Sequence, residues 1–94
     1  MYKLTERAVD DFRGIYDYTL GKFGETQADR YTESLATFFD TLSKMPRIGH
    51  PYDVVPGVMR VEFQSHIIFY TFDDEGILVA RILHQRMDPR RHLI

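Results

Sequence analysis

The chain has 94 residues, 44% of them hydrophobic and 28% charged, which predicts one small globular domain over residues 1–94. It has no cysteine, which excludes a disulfide framework and a thiolate zinc site, and no run of about 18 apolar residues that would span a membrane. Acidic residues follow the N-terminus too closely for a signal peptide, so a cytoplasmic protein is expected.

The formal net charge of −2 hides an uneven distribution of charge along the chain. Residues 1–44 have six basic and eight acidic side chains, and residues 45–80 have two and five. Residues 81–94 have four arginines against Asp88 alone, a balance of +3, and they also contain His84 and His92. The C-terminal segment is therefore a candidate basic working surface on a mildly acidic body.

The first elements are a short strand and a helix. Tyr2 to Leu4 is typical of a strand, and Thr5 is well placed as the N-cap of a helix that begins at Glu6. Apolar residues then recur at helical spacing, which predicts a helix that ends near Gly21 or Gly24. They are Val9, Phe12, Ile15, Tyr16, Leu20 and Phe23.

A second helix is predicted from Glu25 or Thr26 up to the stop at Pro46. Its apolar residues follow alternating steps of three and four with unusual regularity. They are Ala28, Tyr31, Leu35, Phe38, Leu42 and Met45. Because the link between the two helices is short and contains glycine, an antiparallel helical hairpin is expected.

The rest of the chain is predicted to be mainly strands. Residues 46–57 contain three prolines and two glycines and are expected to form a loop. Runs rich in β-branched and aromatic residues follow at 58–63, 66–72 and 77–84, and their short separations predict an antiparallel meander. Asp88 and Pro89 are suited to opening one helical turn. The fold class expected is α+β, with the hairpin on one face of the sheet.

The second and third strands of the meander do not alternate between apolar and polar residues. Residues 67–70 and 77–80 are apolar throughout, as in a sheet that is covered on both faces. One face is assigned to the helical hairpin, and the other is predicted to be an exposed apolar surface that a partner covers. The alternative is that the loop at 46–57 and the C-terminal tail fold across that face.

Cofactor and metal chemistry are not expected. The sequence has no glycine-rich phosphate loop, no metal-ligand spacing and no nucleophile elbow. His66 and His84 are predicted to lie near one another across a hairpin, but two histidines without a carboxylate make a poor zinc site. They are interpreted as polar strand-end residues that bond to nearby backbone.

Arg60 and Arg81 each interrupt an apolar strand, where a guanidinium needs an anionic partner or an outward position. One interpretation is a salt bridge, for instance with Glu62 or Asp53. The other is contact with a phosphate or carboxylate from outside, in a groove beside Arg86. Cleavage of RNA without metal would use Arg60 and Arg81 as cations and His84 as acid or base, with Tyr70 and Glu62 as weaker candidates, but a second proton-transfer group is missing.

Several local strings together resemble the RelE/ParE superfamily of bacterial toxins, and specifically its ParE branch. They are FGETQA at 23–28, MPRIG at 45–49, GVMR at 57–60, HIIFY at 66–70 and RILHQRMD at 81–88. The likeness spans nearly the whole chain. The strings HIIFY and RILHQRMD, which lie in predicted strands, are a specific signal in combination. The proline–glycine turn in MPRIG is a weak signal by itself.

The resemblance implies a toxin of a type II toxin–antitoxin pair, made beside a small antitoxin of the ParD kind. In that family an antitoxin segment covers part of the toxin's hydrophobic surface, and operator DNA is contacted only through the antitoxin. ParE toxins are described as inhibiting DNA gyrase, and their C-terminal region is implicated in toxicity. The RelE branch instead cleaves messenger RNA on the ribosome.

The resemblance also implies roles for particular residues. Arg60 and Arg81 lie where RelE-type ribonucleases have phosphate-contacting arginines, so a ribonuclease would use Arg60, Arg81 and His84. The favoured interpretation, a gyrase-directed toxin, needs no catalytic residue. Its expected target contacts are Arg60, Arg81, His84, Arg86, Met87, Arg90 and Arg91, and its expected antitoxin contacts are Ile68, Phe69, Tyr70 and Val79. A third possibility is a binding subunit that has lost toxicity.

Overall fold

The elements of the chain follow the predicted order. A computed structural model describes residues 1–93. The elements are β1 (Tyr2–Leu4), α1 (Glu6–Phe23), α2 (Glu25–Lys44), a 3₁₀ turn (Pro46–Ile48), β2 (His50–Pro51), β3 (Met59–Phe63), β4 (His66–Asp73), β5 (Gly76–His84) and α3 (Pro89–Leu93). The predicted α+β class, with a helical hairpin followed by a meander, is confirmed.

The five strands form one mixed sheet in the order β1-β5-β4-β3-β2. The meander strands β3, β4 and β5 are antiparallel, while β1 is parallel to β5. The loop predicted over residues 46–57 contains the 3₁₀ turn and the two-residue strand β2, which pairs with β3 at the sheet edge. Pro51 is tolerated there because an edge strand has one side without ladder hydrogen bonds.

Local signals set the ends of both long helices. The Thr5 hydroxyl accepts the Ala8 N–H at 3.1 Å and caps α1, as predicted. Gly24, at φ 92°, ends α1 with its N–H bonded to the Leu20 carbonyl and lets α2 start at the next residue. Among the helices of residues 1–93, none has the length and apolar character needed to cross a membrane.

The helical hairpin covers one face of the sheet. A bulge in β5 makes this possible, because Phe69 pairs with Arg81 while Tyr70 pairs with Val79, so that Ala80 is an extra residue. The side chains of Val79 and Ile82, three positions apart, therefore both reach the helix-side core. This core consists of Ala8, Ile15, Leu35, Phe39, Leu42, Ile68, Tyr70, Ile77, Val79 and Ile82.

The opposite face is covered by the chain itself. Ile67, Phe69 and Leu83 form a second buried cluster, against which Tyr52, Val58 and Leu93 pack. The loop before β3 and the C-terminal helix thus fold across this face, and the predicted exposed apolar surface is wrong. The sequence pattern showed that both faces are covered but not what covers them.

The four residues expected to contact an antitoxin are completely buried, each with 0% exposure: Ile68, Phe69, Tyr70 and Val79. Three of them belong to the helix-side core, and Phe69 lies beneath Tyr52, with their ring centroids 5.2 Å apart. None of these side chains is on the surface of this structure. Apolar exposure lies elsewhere, since Tyr18 and Phe23 in the second half of α1 are each 64% exposed.

The turn after α2 requires glycine at position 49. The Tyr70 hydroxyl donates to the Pro46 carbonyl at 2.6 Å and so lies against this turn. A Cβ on Gly49 would overlap that hydroxyl and lie 2.7 Å from the Arg60 carbonyl oxygen. Residues 46–49 therefore pack closely against the Tyr70 side chain of β4 and the Arg60 backbone of β3.

Gly49→Ala is expected to lower the free energy of unfolding by about 1–3 kcal/mol, because the added methyl forces backbone and Tyr70 apart. Urea denaturation measures this change. The matched control is Gly21→Ala in α1, where a Cβ meets nothing within 4 Å, and it is expected to stabilise the helix by about 0.5–1 kcal/mol. Equal effects of the two substitutions would contradict this account of the turn.

Candidate functional site

Asp11 and Arg81 form a nearly buried ion pair at the open edge of β5. Arg81 Nε and Nη2 donate to the two carboxylate oxygens of Asp11 at 2.8 and 2.9 Å, and the side chains are only 14% and 15% exposed. Asp11 also accepts the Ile82 N–H at 2.9 Å. Because β1 pairs with β5 only as far as Val79, this carboxylate takes the place of a missing strand partner.

Arg81 also anchors the C-terminal helix, since its Nη1 donates to the His92 carbonyl at 3.0 Å. The hydrogen bonds with Asp11 raise the pKa of Arg81, against a smaller opposing effect of burial. The salt-bridge interpretation is confirmed for this arginine, with Asp11 rather than Asp53 or Glu62 as the partner. Its geometry does not support contact with a target from outside, because three of its nitrogens are engaged within the fold.

Arg60 has a different environment. Its guanidinium lies 3.8 Å from Glu62 in a loose pair whose side chains are 35% and 78% exposed. Such an exposed pair contributes little, and it leaves Arg60 able to bind another anion. The register places Arg60 and Arg81 on either side of Phe69, with one intervening strand, so their backbones are about 10 Å apart.

His66 and His84 are neighbours across β4 and β5, as predicted. They are register partners with ring centroids 5.5 Å apart in an edge-to-face arrangement. Sequence reasoning missed Tyr31, assigned there to the core stripe, whose hydroxyl is 2.6 Å from Nδ1 of His66. The backbone N–H of Arg86 donates to Nδ1 of His84 at 3.1 Å.

These hydrogen bonds determine where each neutral imidazole ring holds its proton. Nδ1 of His84 accepts an N–H, so its proton is on Nε2. We assign the same tautomer to His66, because the Tyr31 phenol is the natural donor in the short bond to Nδ1. Both rings thus present Nε2–H donors, and a neutral His84 does not act as a base through Nε2. Within residues 1–93 no group of three or more metal-ligating side chains is found.

Burial shifts the pKa values of two members of this cluster, His66 and Tyr31. It lowers the pKa of His66, and the neighbouring His84 lowers it further. Burial also raises the pKa of Tyr31, with a backbone hydrogen bond from Ser65 acting in the opposite direction. Both shifts favour the neutral forms, so the Tyr31–His66 pair is uncharged near neutral pH.

The lowered pKa of His66 predicts loss of stability in mild acid. The unfolded chain takes up a proton near the ordinary histidine pKa of 6.5, while the folded chain resists it. Stability is therefore full above pH 6.5 and declines as the pH falls towards the native pKa. Between pH 7.5 and 5.5, we expect the urea midpoint to fall less in His66→Gln than in the parent chain. The control is His50→Gln, on an exposed edge strand, in which the midpoint is expected to fall as much as in the parent chain. An unchanged pH dependence in His66→Gln would contradict this.

A groove of about 840 Å³ lies between the helical hairpin and the end of the sheet. Its lining includes His66, His84 and Arg86, together with the exposed side chains of Tyr18 and Phe23. The buried residues Ile15 and Ile82 also line it. Sequence reasoning did not identify this groove, although Phe23 and Leu20, both surface residues here, continue the α1 stripe past the core.

The C-terminal segment holds the remaining predicted target-contact residues. Asp88 opens α3, as predicted, with its carboxylate accepting the Arg90 N–H at 3.0 Å. Arg86, Arg90 and Arg91 are exposed and take part in no ion pair among residues 1–93. Met87 is 37% exposed. This segment is therefore a basic surface next to the groove.

The fold and nearly the whole length of the chain match a known class of bacterial toxin. Residues 2–89 match the family described as ParE toxin of type II toxin-antitoxin system, parDE. Toxin ParE1 of Mycobacterium tuberculosis is 37% identical over 98% of this chain and 96% of that protein. Toxin ParE1 of Caulobacter vibrioides is 31% identical over the same shares. The chain therefore belongs to the ParE toxin family.

A solved structure shows the same fold. The chromosomal ParDE TA system from P. aeruginosa superimposes with a TM-score of 0.76 at 22% identity, covering 88% of this chain and 92% of that one. At this identity the likeness supports the fold alone. Together with the family match, it identifies the strand, helical hairpin and meander as the framework of a ParE toxin.

Proposed function

We propose that this ParE-family toxin inhibits DNA gyrase and blocks replication, and that a ParD-like antitoxin neutralises it. The observation that carries this proposal is the basic C-terminal segment, whose Arg86, Arg90 and Arg91 are exposed and unpaired among residues 1–93. Arginine is favoured at contact surfaces because its planar guanidinium binds carboxylates and phosphates in pairs of hydrogen bonds. Such a surface needs no catalytic group.

The contacts of Arg81 and His84 weigh against the alternative, a ribosome-dependent ribonuclease. Arg81 is held by Asp11 and the His92 carbonyl and its side chain is only 14% exposed, so it is poorly placed to bind a phosphate. Neutral His84 has its proton on Nε2, which suits it to donate a hydrogen bond rather than to remove a proton from a ribose hydroxyl. Of the three residues assigned to that reaction, Arg60 alone combines partial exposure with a weak partner.

The proposed partners follow from the same assignment. The toxin would form a hetero-oligomer with its antitoxin in the cytoplasm, and would reach operator DNA only through that antitoxin. Phe69 and its neighbours are buried by the chain's own loop and tail, so the antitoxin is expected to use surfaces that are already exposed.

Two assays run side by side test the target. Purified chain is added to a gyrase supercoiling reaction and to an in-vitro translation reaction with labelled messenger RNA. Blocked supercoiling with intact messenger RNA is expected. Cleaved messenger RNA with normal supercoiling would instead establish the ribonuclease, and no effect in either reaction would indicate a binding subunit without toxicity.

A further inference from the structure

We propose that Arg81 is a positioning residue of this toxin: it fixes α3 on the sheet and so presents Arg90 and Arg91 to the target. Asp11 supports this role, because it orients the guanidinium of Arg81. The proposal deepens the gyrase-directed function and rests on it. Neither Asp11 nor Arg81 is expected to touch gyrase.

The C-terminal helix α3 is too short to hold its conformation by itself. It has five residues, and none of them is buried. An isolated helix in water needs about 12–15 residues to be even marginally stable, because its first turn is costly to form. Contacts with the rest of the chain must therefore keep α3 ordered and in place.

The structure attaches α3 to the sheet through Leu93 and through Arg81. Leu93 packs against the second buried cluster, and Nη1 of Arg81 donates to the His92 carbonyl at 3.0 Å. This bond satisfies a carbonyl in the last turn, where backbone acceptors lack partners inside the helix. The bond between Asp88 and the Arg90 N–H joins near neighbours in the chain, so it does not attach α3 to the sheet.

The guanidinium of Arg81 is suited to this task because it is planar. Nε and Nη2 bond to the two oxygens of Asp11 at 2.8 and 2.9 Å, which fixes the plane of the group. Asp11 is itself held by the Ile82 N–H at 2.9 Å. Since Nη1 lies in the same plane, the ion pair with α1 determines where the end of α3 binds.

Lysine at position 81 would separate the ion pair from the attachment of α3. An ammonium is a compact charge that can still pair with Asp11, but it lacks the planar fork that binds Asp11 and the His92 carbonyl together. Arg81→Lys is therefore expected to keep a counter-charge for Asp11 and to release α3.

An ordered α3 favours binding because immobilising a mobile segment opposes association. When Arg81 holds α3 in place, the exposed Arg90 and Arg91 are already presented on one short helix. Release of α3 should raise the toxin concentration needed for half-inhibition of gyrase. Inhibition at saturating toxin should be unchanged, because the contact residues themselves are retained.

The first test measures the order of α3 in the complete chain. Amide hydrogen exchange is compared between the parent chain and Arg81→Lys. The amide of Arg91, which bonds to the Asp88 carbonyl at 3.1 Å, is expected to exchange at least about tenfold faster in the variant. The amide of the buried Ile68 should change by a smaller factor. Arg13→Lys, the same substitution at an exposed position of α1, should leave both amides unchanged.

The second test asks whether Arg81 acts on gyrase through α3. The double substitution Arg90→Gln with Arg91→Gln is measured in the parent chain and in the Arg81→Lys background. Its cost in half-inhibition should be at least about tenfold in the parent and less than about threefold in Arg81→Lys, because α3 no longer presents these side chains there. A residue that merely stabilises the fold would give additive effects.

Asp88→Ala loosens α3 by a second route that leaves Arg81 untouched. It removes the carboxylate that accepts the Arg90 N–H at the start of the helix. We expect faster exchange at Arg91 and weaker inhibition, as in Arg81→Lys. This variant decides the link between α3 and the target if Arg81→Lys fails to fold, which circular dichroism checks.

The outcomes separate this role from the function on which it rests. Unchanged exchange at Arg91 in Arg81→Lys would overturn the positioning role. A loosened α3 with unchanged inhibition, or additive effects in the second test, would overturn its link to the target. If the parent chain does not inhibit gyrase, the proposed function fails, while the exchange measurement still decides whether Arg81 holds α3.

Discussion

Asp11→Ala is expected to lower the free energy of unfolding by about 3–5 kcal/mol, because it leaves the Arg81 guanidinium buried without its counter-charge. The Ile82 N–H at the open edge of β5 would lose its acceptor in the same step. For a chain of this size each kcal/mol corresponds to about 4–8 °C in Tm, so the loss is large. Calorimetry and urea denaturation measure it directly.

Two controls separate the ion pair from a general effect of charge. Asp10→Ala removes a neighbouring exposed carboxylate and is expected to change stability by less than about 0.5 kcal/mol. The double substitution Asp11→Leu with Arg81→Met removes both charges together and should recover part of the loss. An Asp11→Ala variant as stable as Asp10→Ala would contradict the assignment of Arg81 as a structural residue.

The second large effect is expected at the C-terminal helix. Arg90→Gln combined with Arg91→Gln should raise the concentration needed for half-inhibition of gyrase at least about tenfold, equivalent to about 1.4 kcal/mol of binding energy. Both side chains are exposed on α3, so the fold should be unaffected.

Arg7→Gln with Arg30→Gln is the matched control, since it removes the same charge from exposed positions of α1 and α2. Inhibition that falls equally in both double variants would show a nonspecific charge effect. Removing residues 86–94 should also abolish toxicity with antitoxin binding reduced yet measurable. That deletion additionally removes Leu93 from the second cluster and the His92 carbonyl from Arg81, so it is the less selective test.

The sequence predicted most of the architecture because its periodic signals are local. Thr5, Gly24 and Pro46 mark the ends of the two helices, and the meander follows from two short separations between β-rich runs. Strands apolar on both faces correctly indicated a sheet covered on both sides. The identity of the second cover was missed, because Leu93 and Tyr52 lie far from Phe69 in sequence and no periodicity connects them.

The candidate site was predictable only in part, for the same reason. The proximity of His66 and His84 followed from the hairpin, but the Asp11–Arg81 pair joins residues separated by 70 positions. The pair forms because β1 is parallel to β5, and α1, which follows β1, lies along the part of the β5 edge that β1 does not cover. The bulge at Ala80, whose carbonyl accepts the Thr5 hydroxyl at 2.8 Å, likewise has no signature in the strand pattern.

The Arg81 contacts connect the fold to the proposed activity. One guanidinium joins α1, the edge of β5 and the C-terminal helix, and so holds in place the segment that presents Arg90 and Arg91. Toxicity is therefore expected to depend on Arg81 indirectly, through the position of α3.

The most direct test of the proposed function is the amount of gyrase-linked DNA breakage. Purified chain, gyrase, ATP and relaxed plasmid are incubated together, and linear plasmid is measured after detergent and protease treatment. Linear DNA is expected to increase with toxin concentration, and to return to background when the product of the adjoining reading frame is added in equimolar amount. Supercoiling at its normal rate and no linear DNA, with the toxin in large excess over gyrase, would contradict the proposed function.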